Sequence, residues 1–268
     1  MSIASCLAAE KASSVTIMSY NVRLSSYNEG TNSWEMRYPA SAMMINDQKP
    51  DVIGIQDALF EQIDYFQDIL KGYKYVGVAG KDGKKDGVYT PILYNSKTIA
   101  VLKSGTFWLS DNSVKPSTGF DSEEYLTATW AILKEKNSGK KFFFINTKLD
   151  SESASSRQKA LSLVMEKIPE LNTDSSPVVL TGDLKMTPES DELAPVKAVL
   201  KDSRSVAFST DKNGTFNNWG KQKEPCIYDY IWISGFSSCT SFETVTKKYY
   251  DRVFISDHFP IKAILVLD

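Results

Sequence analysis

Polar and apolar residues alternate over Val15–Arg23, with Val15, Ile17 and Val22 as β-branched apolar positions, and this predicts a first strand. Trp34–Asn46 carries Tyr38, Met43 and Met44 at helical spacing, and Lys49-Pro50 stops it. Pro39 falls early in that helix, where proline is tolerated. Asp51–Gln56 is nearly continuous in apolar residues, the pattern of a strand buried on both faces. Phe60–Leu70 places Phe60, Ile63, Phe66, Ile69 and Leu70 on one side of a helix. Strand-like runs follow at Tyr73–Ala79, Thr90–Tyr94, Ile99–Trp108, Thr127–Lys134 and Lys141–Asn146. Turn residues such as Lys81-Asp82-Gly83 and Asn137-Ser138-Gly139 separate them. An amphipathic helix over Ser155–Leu171, a strand at Pro177–Thr181, a helix over Asp191–Leu200 and strands at Tyr228–Ile233 and Ile261–Val266 complete the chain. No internal repeat or linker interrupts this order. By layer rules it predicts one α/β or α+β sandwich of two sheets with helices outside.

Composition narrows the function classes. The chain has 268 residues, a net charge of −2 and 42% hydrophobic content, as expected of an ordinary globular domain with no global basic field for nucleic acid. Cys6, Cys226 and Cys239 are too few and too scattered for a disulfide framework or a zinc site. His258 is the only histidine, which excludes any mechanism that needs two. No apolar run reaches the length of a membrane span. Residues 1–14 read as a tail. Within it, Ile3-Ala4-Ser5-Cys6 is similar to the end of a bacterial lipoprotein signal, so we expect an exported protein of the periplasm or cell envelope, acting as a monomer.

Several strands end in polar residues that a buried sheet would not choose. Asn21 closes the first, Gln56-Asp57 the second, Thr147-Lys148-Leu149-Asp150 and Gly182-Asp183-Leu184-Lys185 two later ones. Asp229 begins the strand that reaches Ile233, and Ser256-Asp257-His258 precedes the last. Ligands gather where strand ends converge. Asp57, Asp183, Asp229 and Asp257 at one edge would repel one another unless a cation sat among them, and hard divalent cations prefer such oxygen ligands. A histidine oriented by a carboxylate can act as general base or donor. The carboxylate beside His258 need not be its neighbour Asp257; another aspartate, such as Asp183, is open as its partner. Aromatic residues around Trp219 and at Tyr249-Tyr250 either line a pocket or pack in the core or rim.

The ordered set of Ser19-Tyr20-Asn21-Val22-Arg23, Trp34 and Arg37, Ile55-Gln56-Asp57, Asn146-Thr147-Lys148-Leu149-Asp150, Thr181-Gly182-Asp183-Leu184-Lys185, Gly214-Thr215-Phe216, Asp229-Tyr230-Ile231-Trp232 and Ser256-Asp257-His258-Phe259-Pro260 resembles the endonuclease/exonuclease/phosphatase family. The resemblance runs from Val15 to the C-terminus. It implies an α/β fold of the DNase-I-like kind, a four-layer α/β/β/α sandwich of two mixed sheets packed face to face. It also implies a metal-dependent phosphoesterase in which an activated water hydrolyses a phosphate ester with Mg²⁺ or Mn²⁺. The family pattern assigns His258, Asp183, Asp257 and Asp229 as catalytic, Asn21, Lys148 and Lys185 as substrate-binding, and Asp57, Asn21 and Asp257 to the metal. The partner class it implies is a phosphorylated small molecule, a lipid headgroup or a nucleic acid.

The chain departs from that pattern in its site. Asp57 stands where the family has its main metal-binding glutamate, Lys148 where it has a histidine, and Lys185 where it has an asparagine. Val88 and Leu126 stand where small bacterial members often carry a glutamate and an arginine. We therefore expect a lysine ammonium within salt-bridge reach of Asp183 or a neighbouring aspartate, weak Mg²⁺ binding and impaired turnover. The alternative is a binding protein on the same scaffold that performs no chemistry.

Overall fold

The computed structural model describes residues 13–268. Twelve strands form two six-stranded sheets. They are β1 (Ser13–Asn21), β2 (Val52–Gln56), β3 (Tyr73–Val76), β4 (Ile92–Asn95), β5 (Ile99–Trp108) and β6 (Thr127–Glu135), then β7 (Lys141–Lys148), β8 (Val178–Asp183), β9 (Lys201–Asp202), β10 (Asp229–Ser234), β11 (Ser238–Thr244) and β12 (Ile261–Leu267). The first sheet has the order β11-β12-β1-β2-β4-β3 and the second β5-β6-β7-β8-β10-β9. Both are mixed, because β1 pairs with β2 and β7 with β8 in parallel, while the other neighbours are antiparallel.

The layers follow from which faces are apolar. Helices α1 (Trp34–Gln48) and α2 (Phe60–Ile69) cover the outside of the first sheet, burying Met44, Ile45, Ile63 and Phe66 against Met18, Tyr20, Ile53 and Ile55. Helix α3 (Ala154–Leu171) covers the second, burying Leu161, Val164 and Ile168 against Phe143, Ile145 and Leu180. Between the sheets Val15, Ile17 and Val52 meet Phe142, Phe144, Val179 and Ile231. Strand residues with one parity go to each face, so β1 feeds the outer layer with Met18 and Tyr20 and the inter-sheet layer with Val15 and Ile17. The four-layer α/β/β/α sandwich expected above is the observed fold.

Some element boundaries differ from the sequence reading. Ser13 and Ser14, expected in a tail, open β1; the rest of that tail, including Cys6, lies outside the described residues. The helix expected over Asp191–Leu200 is a 3₁₀ turn at Asp191–Leu193 followed by the short α4 (Ala194–Lys197). Strand β11 was not anticipated, because Ser-Cys-Thr-Ser-Phe-Glu-Thr is polar at most positions, as suits an edge strand. The same holds for the two-residue β9 and for α5 (Ser203–Val206).

Candidate active site

Strand register assembles the site. Parallel pairing sets Lys148 of β7 opposite Asp183 of β8, and antiparallel pairing sets Asp183 opposite Asp229 of β10. Residues opposite one another across a sheet share a face, so these three form a row. On the other sheet Asn21 of β1 lies opposite Gln56 of β2, and Asp57 follows immediately. The segment before β12 brings in Asp257 and His258. Behind the mouth a polar layer ties the sheets together. The Gln56 amide donates to Asn146 Oδ1 at 2.7 Å, and the Asn146 amide donates to the carbonyls of Ile55 and Pro91. Gly54 is required there, since a Cβ would run into Thr181 Oγ1 and Asn146 Oδ1. As the strands end, Arg23, Asp57 and Lys185 all adopt left-handed backbone, with φ of 60°, 50° and 56°. Side chains other than glycine rarely take this conformation, and where they do the surrounding structure must enforce it.

The carboxylates are neutralised by protein cations. Lys185 Nζ lies 2.7 Å from Asp183 Oδ2, the ion pair expected from the sequence, and Asp183 is fully buried. The Asn21 amide donates to Asp183 Oδ2 at 2.8 Å and to Asp57 Oδ2 at 2.9 Å. Lys148 Nζ lies 3.8 Å from Asp57 Oδ1 and 2.7 Å from Glu124 Oε2. Asp257 faces Arg23 at 3.2 Å. The carboxylate that orients His258 is Asp229, with Oδ2 2.7 Å from Nδ1; Asp183 Oδ2 is 3.7 Å from Nε2. Lys185 Nζ is 3.4 Å from the same Nε2.

These contacts set the titration behaviour. Burial works against a charged His258, but Asp229 and then Asp183 outweigh it, and its pKa is raised to about 9. Burial also works against an ionised Asp183, but Lys185 and His258 hold its pKa below the ordinary carboxylate value. At Asp229 burial prevails over His258 and raises the pKa. Burial disfavours both ammoniums. Asp183 outweighs it at Lys185, and Asp57 with Glu124 outweighs it at Lys148, so both lysines titrate above the ordinary value.

The residues that the family pattern assigns to a divalent cation are engaged with protein groups. The Asn21 carbonyl oxygen accepts from the Arg23 backbone N–H, and its amide hydrogens face Asp57 and Asp183. Asp57 has Lys148 beside it, and Asp257 is turned to Arg23. Asp183, Asp229 and His258 each offer one atom within 4.8 Å of the others, and Oδ1 of both aspartates is buried without a partner. There too, Lys185 holds Asp183 Oδ2, and His258 Nδ1 is engaged with Asp229. A doubly charged ion there would sit beside the Lys185 ammonium, which holds Asp183 Oδ2.

A cavity of about 430 Å³ opens in front of Lys148 and Lys185, with Arg23, Tyr27, Val88, Tyr125 and Leu126 among its walls. Asp57 reaches it; Asn21, Asp183, Asp229, Asp257 and His258 are buried and do not line it. Two charged residues of the site had been given no role from the sequence. Arg23 follows Asn21 by two residues and pairs with Glu29 as well as Asp257. Glu124 sits in the polar run Asp121–Glu124, where nothing local singles it out. Of the two roles left open for the aromatic residues around Trp219 and at Tyr249-Tyr250, packing is the one observed: Tyr249 is buried on Asp47, Tyr250 is exposed, and Trp219 packs over Arg37.

Two stacked mixed sheets with polar strand ends gathered at one mouth define the DNase-I-like class of α/β proteins. The chain belongs to the endonuclease/exonuclease/phosphatase family. A structure of a member from Bacteroides thetaiotaomicron is 30% identical, covers 96% of this chain and 99% of its own, and superposes with a TM-score of 0.91. A mannosyl-6-phosphatase from Bacteroides thetaiotaomicron VPI-5482 is also 30% identical, over 94% of this chain and 100% of its own, with a TM-score of 0.89. An uncharacterized protein of Acanthamoeba polyphaga mimivirus is 24% identical over 250 residues, 86% of this chain and 91% of the viral protein. No protein-family model matches the chain. Among the described residues no helix is long and apolar enough to cross a membrane.

Proposed function

We propose that this chain binds the phosphate of a phosphorylated small molecule at the strand-end mouth, with lysine ammoniums in place of a divalent cation, and hydrolyses it slowly or not at all. The observation that carries this reading is the buried Lys185–Asp183 pair at 2.7 Å. Lysine binds phosphate as a point charge. Lys185 and Lys148 both line the cavity, and protonated His258 lies 3.4 Å from Lys185. Together they attract an anion to the floor of the site, and Asn21 and Asp229 hold the geometry around Asp183 and His258. The same pair suppresses hydrolysis. A carboxylate held by an ammonium is a weaker base toward water, and a missing transition-state donor costs roughly 10²–10³ in rate. A small ligand suits the net charge of −2, which supplies no field for a nucleic acid backbone. The likeness to a mannosyl-6-phosphatase supports a phosphate monoester in particular.

Calorimetric titration with inorganic phosphate and a hexose 6-phosphate tests the reading, in EDTA and again in Mg²⁺. Hydrolysis is followed in both media and compared with His258→Ala. Binding in EDTA that Mg²⁺ leaves unchanged, with little turnover in either medium, is the expected result. Mg²⁺-dependent binding, or Mg²⁺-dependent hydrolysis lost in His258→Ala, overturns it in favour of a metal-dependent phosphoesterase.

A further inference from the structure

The organic part of the ligand is constrained by the cavity wall, given the phosphate reading above. The floor carries the Lys148 and Lys185 ammoniums, with Asp57 and Glu124 beside them. The wall facing it is apolar and aromatic: Leu24, Val88 and Leu126, with the half-exposed rings of Tyr27 and Tyr125 at the rim. Several polar groups of the lining are already committed, leaving the Tyr27 and Tyr125 hydroxyls and Ser151 toward the rim. Glu124 is on Lys148 at 2.7 Å and Lys81 on Asp86 at 2.7 Å. The Thr90 hydroxyl is held by Thr127, and Arg23 by Glu29 and Asp257. A polyol laid against Leu24, Val88 and Leu126 would lose water from hydroxyls that those side chains cannot pair. A flat apolar group loses only unfavourable hydration there and gains ring-on-ring contact with tyrosine.

We propose that the site selects a phosphate monoester of an aromatic or otherwise apolar group over a sugar phosphate. The phosphate sits on Lys148 and Lys185, and the organic moiety lies between Val88, Leu126 and the two tyrosines. Selection then works by contact area: the aryl ester covers the apolar side chains and tyrosine rings, and the sugar ester does not.

The test is calorimetry in EDTA with three probes: phenyl phosphate, a hexose 6-phosphate and inorganic phosphate. Phenyl phosphate is expected to bind roughly tenfold or more tighter than the hexose ester, the discrimination that partial burial of one ring supports. The ratio is expected to shrink toward unity in Tyr125→Ala and in Val88→Ser. Neither side chain is fully buried, so folding should survive both changes. A hexose ester that binds as tightly as phenyl phosphate, or a ratio unmoved by both variants, overturns the aryl preference and leaves the phosphate reading standing. Failure of all three probes to bind removes the phosphate reading itself.

Discussion

Replacing Lys185 with asparagine is the sharpest test of the idea that an ammonium stands where a metal would be useful. Asp183 is fully buried, and Lys185 is its nearest cation at 2.7 Å. Removing one partner of a buried pair commonly costs about 3–5 kcal/mol. Here the loss is smaller, because the Asn21 amide at 2.8 Å and His258 at 3.7 Å remain beside the same oxygen. Asparagine also tolerates the left-handed φ of 56° better than lysine, which offsets up to about 1 kcal/mol. The net destabilisation works out at about 2 kcal/mol, or a fall of roughly 4–8 °C in melting temperature for a domain of this size. Thermal unfolding followed by circular dichroism in EDTA measures it. Mg²⁺ should then stabilise Lys185→Asn more than the wild type, because the carboxylates of the variant lack their cation and an ion that binds only the folded state raises stability by mass action. A double-mutant cycle with Asp183→Asn isolates the pair. A variant that melts with the wild type, shows no coupling to Asp183 and gains nothing from Mg²⁺ would refute the reasoning.

The lone histidine makes a second prediction clean: its NMR resonances should titrate near 9, and in Asp229→Asn the midpoint should drop, since Asp229 is the largest influence that opposes burial. The folded pKa lies above the unfolded one, so the stabilisation from this group is complete below about pH 6.5 and is lost as pH rises through about 9; a denaturation series from pH 6 to pH 10 checks the sign. Glu124→Gln releases Lys148 from a half-exposed carboxylate and should tighten phosphate binding about two- to fivefold, read by calorimetry, in keeping with the modest strength of exposed ion pairs. Gly54→Ala forces a methyl group into the Thr181–Asn146 contact between the sheets and should cost about 1–3 kcal/mol, measured by urea unfolding.

Periodicity and strand-end chemistry by themselves determined most of the architecture and which polar residues gather at the strand ends. Long, strongly patterned segments such as Phe60–Ile69 and Lys141–Lys148 declare their type locally, because an apolar face must be buried whatever it packs on. The edge strand β11 and the broken turn before β9 did not, because their conformation is supplied by neighbours and not by their own pattern. The aspartates, the two lysines and His258 were all legible as polar residues ending or beginning strands. Their partners were not. Sequence adjacency suggests Asp257 for His258, but the pairing of β8 with β10 and the course of the chain before β12 deliver Asp229. Likewise Lys148 meets Glu124 and Asp57, from separate loops, only once both sheets are stacked. Charge pairing acts over a few ångströms of space, and distances between residues 24 to 91 positions apart exist only in the folded chain.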